Sequence, residues 1–186
     1  MVPVMSLAIP IVVSAVVVFV ASSIIHMVLP YHRTDLRKAP KEDELLEALR
    51  RLNLPPGDYA APHAGSPAGM KQPEFIAKMK KGPIVFITVA PGGPPSMATN
   101  LVLWLFYSVA VSFFAAYIAG RAVGPGGDYL RVFQFVGSTA FMGYSFALLQ
   151  NSIWYKRNWS MTLKSMFDGL VYGLLTAGTF GWLWPR

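Results

Sequence analysis

The chain has 186 residues, of which 54% are hydrophobic and only 13% charged, with a net charge of +7. Soluble domains carry roughly 25% charged residues, so this balance excludes an ordinary soluble domain and a disordered chain and points to a membrane protein. With no cysteine, disulfide frameworks, thiolate metal sites, iron–sulfur clusters and thiol nucleophiles are all excluded.

A membrane span needs about 20 mostly apolar residues. The first 31 residues contain no Asp, Glu, Lys or Arg, and Ser6 to Leu29 forms the first predicted span, stopped by Pro30. It lacks the positive n-region of a signal peptide and is long for an h-region, so it reads as an uncleaved anchor. Val12, Val13, Val16, Val17, Val18, Val20, Ile24 and Ile25 make this span bulky almost all round. It is expected to pack peripherally or against another protein.

A polar loop of about 67 residues follows, Tyr31 to Met97. Within it, Lys41 to Asn53 predicts an amphipathic helix, because Leu45, Leu46, Leu49 and Leu52 form one stripe. Its acidic early turns and basic last turn suit the helix dipole. Asp58 to Gln72, rich in Ala, Pro and Gly, reads as an extended tether. Pro73 to Lys81 predicts a short helix with proline in its first turn and a basic surface. Ile84 to Val89 has strong β character. As a lone strand its edges need pairing, either within the loop or with a neighbouring protein. Pro91-Gly92-Gly93-Pro94-Pro95-Ser96 is a rigid turn rather than a phosphate loop, since no Gly-Lys-Ser/Thr follows.

The second span is predicted at Thr99 to Gly120, the third at Val132 to Trp154 and the fourth from Ser165 to Trp184. Gly124-Pro125-Gly126-Gly127 joins the second and third as a tight hairpin. Small residues recur every four positions: Ser108, Ser112, Ala116 and Gly120; Thr139, Gly143 and Ala147; Gly169, Gly173, Ala177 and Gly181. Such stripes let helix backbones approach closely, because lipid supplies no hydrophobic drive for association. The expected fold is therefore an all-α integral membrane protein: an N-terminal span (1–30), a cytoplasmic loop (31–98) and a three-helix transmembrane bundle (99–186).

Orientation follows from lysine and arginine. Thirteen of the sixteen lie in the long loop or after the third span, against only Arg121, Arg131 and Arg186 on the other side. The positive-inside rule then puts the loop in the cytoplasm and both termini outside, in the periplasm for a bacterial inner membrane. The +7 charge is thereby explained by topology, and nucleic-acid binding is not implied. Trp104, Trp154, Trp159, Trp182 and Trp184 sit near span ends, as an aromatic belt would.

Two ionisable residues stand out. His26 lies inside the first span and is a candidate axial ligand for haem or a pigment. A haem held by two histidines needs a second membrane histidine, and His32 and His63 both fall in the loop. Asp168 is expected in the first turn of the fourth span, four residues after Lys164 and on the same face. Gln134 and Gln150 are expected to bond across helices. No nucleophile–base pair, carboxylate dyad or metal-ligand spacing appears, so no enzyme activity and no cofactor is expected beyond bound lipid. These features favour a non-catalytic accessory subunit of a membrane complex, respiratory or photosynthetic, with other membrane subunits as partners. The rival readings are a small oligomeric transporter or channel, and a pigment- or haem-contacting protein through His26.

Overall fold

The computed structural model describes all 186 residues. It is mostly helical and separates into two compact units, Met1–Leu36 with Ser96–Arg186, and Arg37–Pro95.

The first unit holds the long helices. A 3-10 turn, Val4–Leu7, leads into α1, Ala8–Ser23, which widens into a π-helical turn at Ile24–Val28. Pro30–His32 then forms a short 3-10 turn. After the second unit come α4, Met97–Ala122, and α5, Tyr129–Ser145, which runs on through Phe146–Leu148 into α6, Leu149–Ile153. The last helix is α7, Trp159–Trp182. Three of these stretches are long and apolar enough to cross a membrane: Val4–Val28, Met97–Ala122 and Tyr129–Ile153. α7 is comparable in length, but Lys164 and Asp168 interrupt its apolar run.

Side chains place the helix starts. Ser96 accepts from the Thr99 amide, Asp128 from the Leu130 and Arg131 amides, and Asn158 from the Ser160 amide. Each satisfies backbone donors that a helix N-terminus leaves unpaired. Asn158 explains why α7 begins six residues before the expected Ser165. The cap and one polar turn precede the apolar run.

The four long helices pack in the cyclic order α1–α4–α5–α7, with α5 against α7 the most extensive seam. The first span is therefore not peripheral to a three-helix bundle. Its Leu7, Ile11, Ser14, Ala15, Val18 and Ser22 are buried, while Ile9, Val12, Val13, Val16 and Val20 face outward. The reason lies in α4: its small residues let α1 approach until the Ser14 and Ser112 hydroxyls stand 3.0 Å apart. At one end of the bundle the Val2 amide donates to Gly120 at 2.8 Å, the Gly126 amide donates to Pro185 at 2.8 Å, and the Trp184 indole donates to Gly124 at 2.9 Å. Met1, the α4–α5 turn and the C-terminal residues thus share that end. The turn after α1, the start of α4 and the start of α7 share the other.

The second unit contains α2, Glu42–Leu52, and α3, Pro73–Lys81. Its two strands are β1, Gly57–Ala61, and β2, Val85–Val89. The strands pair antiparallel, with Gly57 opposite Val89, Tyr59 opposite Ile87 and Ala61 opposite Val85. Thr88 donates across the pair to Asp58 at 2.6 Å. The strand-like segment finds its partner inside the chain, in residues expected to be a tether.

Candidate functional site

The polar centre of the first unit lies where α1 ends. The π-helical turn carries His26, whose Nδ1 donates to the Ser22 carbonyl at 3.0 Å. Pro30 cannot continue the helix. The chain turns back at once through Pro30–His32, which lays the His32 ring on the His26 ring at 4.4 Å between centroids and 8° between planes.

His32 is held at both nitrogens. Its Nδ1 lies 2.6 Å from Asp35 Oδ2, and its Nε2 lies 2.8 Å from Asp168 Oδ2 on α7. Asp35 is fixed in turn by Lys164, whose Nζ donates to Asp35 Oδ1 at 2.8 Å. The same ammonium donates to the Tyr31 carbonyl at 2.8 Å and to Thr34 Oγ1 at 3.2 Å, and lies 5.2 Å from the Tyr31 ring centre. Tyr31 closes the circuit by donating its hydroxyl to the Lys164 carbonyl at 3.1 Å.

The electrostatics follow from this crowding. Burial pushes the Asp35 carboxyl up, but hydrogen bonds from Lys164 and His32, with their charge, outweigh it and hold Asp35 below the usual carboxylate range. Burial pushes the Tyr31 phenol above its ordinary value, and the Asp168 and Asp35 carboxylates add to the rise. Asp168 is the one buried charged residue of the chain, 3% exposed, whereas His26 is exposed.

Asp168 does not occupy the first turn of its helix, because α7 starts at Trp159. Nor does it pair with Lys164: each takes a partner from the turn after α1. The arrangement includes His32 and Asp35, which read from sequence as loop residues. The local signal was the spacing His32-x-x-Asp35 straight after a proline stop, where a tight turn brings an imidazole onto a carboxylate. His63, in the second unit, accepts from the Gly65 amide at 3.2 Å.

The small residues lie along the seams to different degrees. Ser108, Ser112, Ala116 and Gly120 are all buried. A Cβ on Gly120 would stand 2.7 Å from the Val2 carbonyl oxygen. On α7, Gly169, Gly173 and Ala177 are buried against α5, and a Cβ on Gly181 would stand 2.6 Å from the Tyr129 ring. On α5 the seam uses Val132, Val136, Ala140 and Gly137 instead of the expected stripe. Of that stripe, Gly143 faces Val111 of α4, Thr139 donates to its own helix at Phe135, and Ala147 is exposed.

Gln134 and Gln150 lie on exposed faces and make no bond across helices. Among the tryptophans, Trp154, Trp159 and Trp182 are 70%, 50% and 82% exposed. Trp104 and Trp184 instead turn inward. Trp104 donates to Ser22 Oγ at 2.7 Å within a cluster of Tyr107, Tyr144 and Tyr172. Comparison with protein families, with curated proteins and with solved structures returns no match.

Proposed function

We propose that the chain is a four-span protein of a bacterial inner membrane that serves as a non-catalytic accessory subunit of a larger membrane complex, respiratory or photosynthetic. α7 is the fourth span: 24 residues rise roughly 36 Å, enough for the hydrocarbon core. Arg121, Arg131 and Arg186 belong to the end shared by the chain termini, and Arg33, Lys156, Arg157 and Lys164 to the opposite end. That asymmetry supports a cytoplasmic 37–95 unit and both termini outside.

The observation that carries the accessory reading is the use of the helix interior. Glycine, alanine and serine backbones fill the seams, and the buried charge is confined to one end, at Asp168. A proton or ion path through the bundle would need ionisable groups along its length, and Asp168 is the only buried charged one. The outward faces of α1 and α4 remain broadly apolar and available to lipid or to other subunits.

Gentle-detergent purification followed by native mass spectrometry tests this. A stoichiometric partner protein is expected. A monodisperse free monomer overturns the reading, and solute flux in proteoliposomes that depends on Gln134 or Asp168 replaces it with a transporter. A coloured preparation that bleaches in His26→Ala replaces it with a pigment protein.

A further inference from the structure

We infer that His26, His32 and Asp168 form a binding site for one divalent first-row transition-metal ion, zinc(II) being the ion that best suits the donors. One ligating atom from each of the three lies within 4.8 Å of the other two. Two imidazoles and a carboxylate, with no thiolate in the chain, form the borderline nitrogen–oxygen set that zinc accepts in sites keeping an open position for water.

Three features go beyond the coincidence of residues. First, the hydrogen bond from His26 Nδ1 to the Ser22 carbonyl sets its tautomer, leaving the Nε2 lone pair free to ligate. Second, Asp35 sits on Nδ1 of His32 at 2.6 Å and is itself braced by Lys164 at 2.8 Å. A carboxylate behind a ligating histidine is the arrangement that orients the ring and raises its basicity. Third, Asp168 is buried while His26 is exposed, so the site has a fixed floor and an open entrance.

The His32–Asp168 ion pair by itself needs only one histidine. It gives no reason for a second imidazole stacked at 4.4 Å on the first, in a π-helical turn of a span otherwise free of ionisable groups. A metal ion gives the second ring a role once the His26 ring turns out of its stack on His32, since parallel rings do not aim their in-plane lone pairs at one point. Bonds of roughly 2.0–2.1 Å put neighbouring ligands about 3.3 Å apart. The His32–Asp168 pair, at 2.8 Å, has to open by about 0.5 Å, and since no two of the three donors are more than 4.8 Å apart the exposed His26 ring has to close by no more than about 1.5 Å. The charge balance is simple. Two hydrogen bonds along Asp35–His32–Asp168 require two bridging protons. The ion takes the place of the one between Nε2 and Asp168 and keeps the other, so one proton leaves per ion bound.

The test uses the full, untagged chain in detergent, stripped with chelator and titrated with cobalt(II), then zinc(II). One equivalent of cobalt is expected to bind with release of one proton, giving the intense visible bands of a four- or five-coordinate ion, which one equivalent of zinc then discharges with no further proton release. His26→Ala should weaken binding more than 100-fold while the helical content stays that of the wild type. Asp35→Asn should weaken it about 10- to 100-fold through the lost orientation of His32. His63→Ala should leave it unchanged. Cobalt that binds without stoichiometry, or binding that survives His26→Ala, overturns the assignment.

Discussion

Replacing Lys164 with methionine separates the brace from the bundle. The methionine keeps much of the stem's length and removes only the ammonium, so Asp35 Oδ1, the Tyr31 carbonyl and Thr34 Oγ1 lose donors at 2.8, 2.8 and 3.2 Å. Hydrogen bonds to charged groups contribute about 1.5–3 kcal/mol each, and breaking a buried ion pair costs about 3–5 kcal/mol. Lys164 is 21% exposed and one ammonium serves all three acceptors, which argues for a net cost of about 2–3 kcal/mol. The cost falls on the turn after α1, which has no other tie to α7 besides Tyr31 and His32. Hydrogen exchange measured by mass spectrometry reads it directly. Opening of the Pro30–Leu36 segment should increase roughly 30- to 150-fold, at 1.4 kcal/mol per factor of ten, while the amides of the β1–β2 pair stay as protected as before. Lys164→Arg should restore part of the protection by keeping the charge. Unchanged exchange at Pro30–Leu36 in Lys164→Met would refute the account of Lys164 as the fastening of this turn.

The acid limb of stability should belong in part to Asp35. Its folded carboxyl value is depressed, so its contribution is complete above the unfolded value, near pH 4, and is lost as pH falls through the lower folded value. Asp35→Asn should flatten that limb in melting curves taken from pH 6 to pH 2 and lower stability at pH 7. A Cβ on Gly173 would stand 3.1–3.3 Å from Phe141 and the Gly137 carbonyl, so Gly173→Val should overpack the α5–α7 seam. A loss of about 1–3 kcal/mol is expected in detergent-titrated unfolding, and a neutral result would show that the seam yields. Because the chain has no cysteine, single replacements report topology without background. Gly92→Cys should react with an impermeant maleimide only after the inner face is exposed, and Gly124→Cys, where a Cβ meets nothing within 4 Å, in intact spheroplasts.

The long helices and α3 were legible because their signals are local: charge-free runs, prolines in first turns and apolar periodicity. β1 was not, since Gly57-Asp58-Tyr59-Ala60-Ala61 has little β propensity and becomes a strand only by pairing with the β-branched β2. The start of α7 was missed for a related reason: a hydropathy window sees the apolar run, while the helix obeys the Asn158 cap. Of the site, His26 and Asp168 stood out because ionisable groups are rare in apolar helices. Their connection did not. His32 and Asp168 are 136 positions apart, and only the backward turn at Pro30 and the packing of α1 on α7 make them neighbours.

The interlock of α1 with α4 has a consequence for how the chain is made. The groove-filling face of α1 and its Ser14 hydroxyl find their complement only on helices that begin at Met97 and Trp159. With this helix read as a membrane span, it waits during synthesis with that face turned to lipid while the whole 37–95 unit is translated. That unit pairs its own strands, β1 with β2. The first member of the bundle is thus made well before the helices that complete it, with the whole 37–95 unit translated in between.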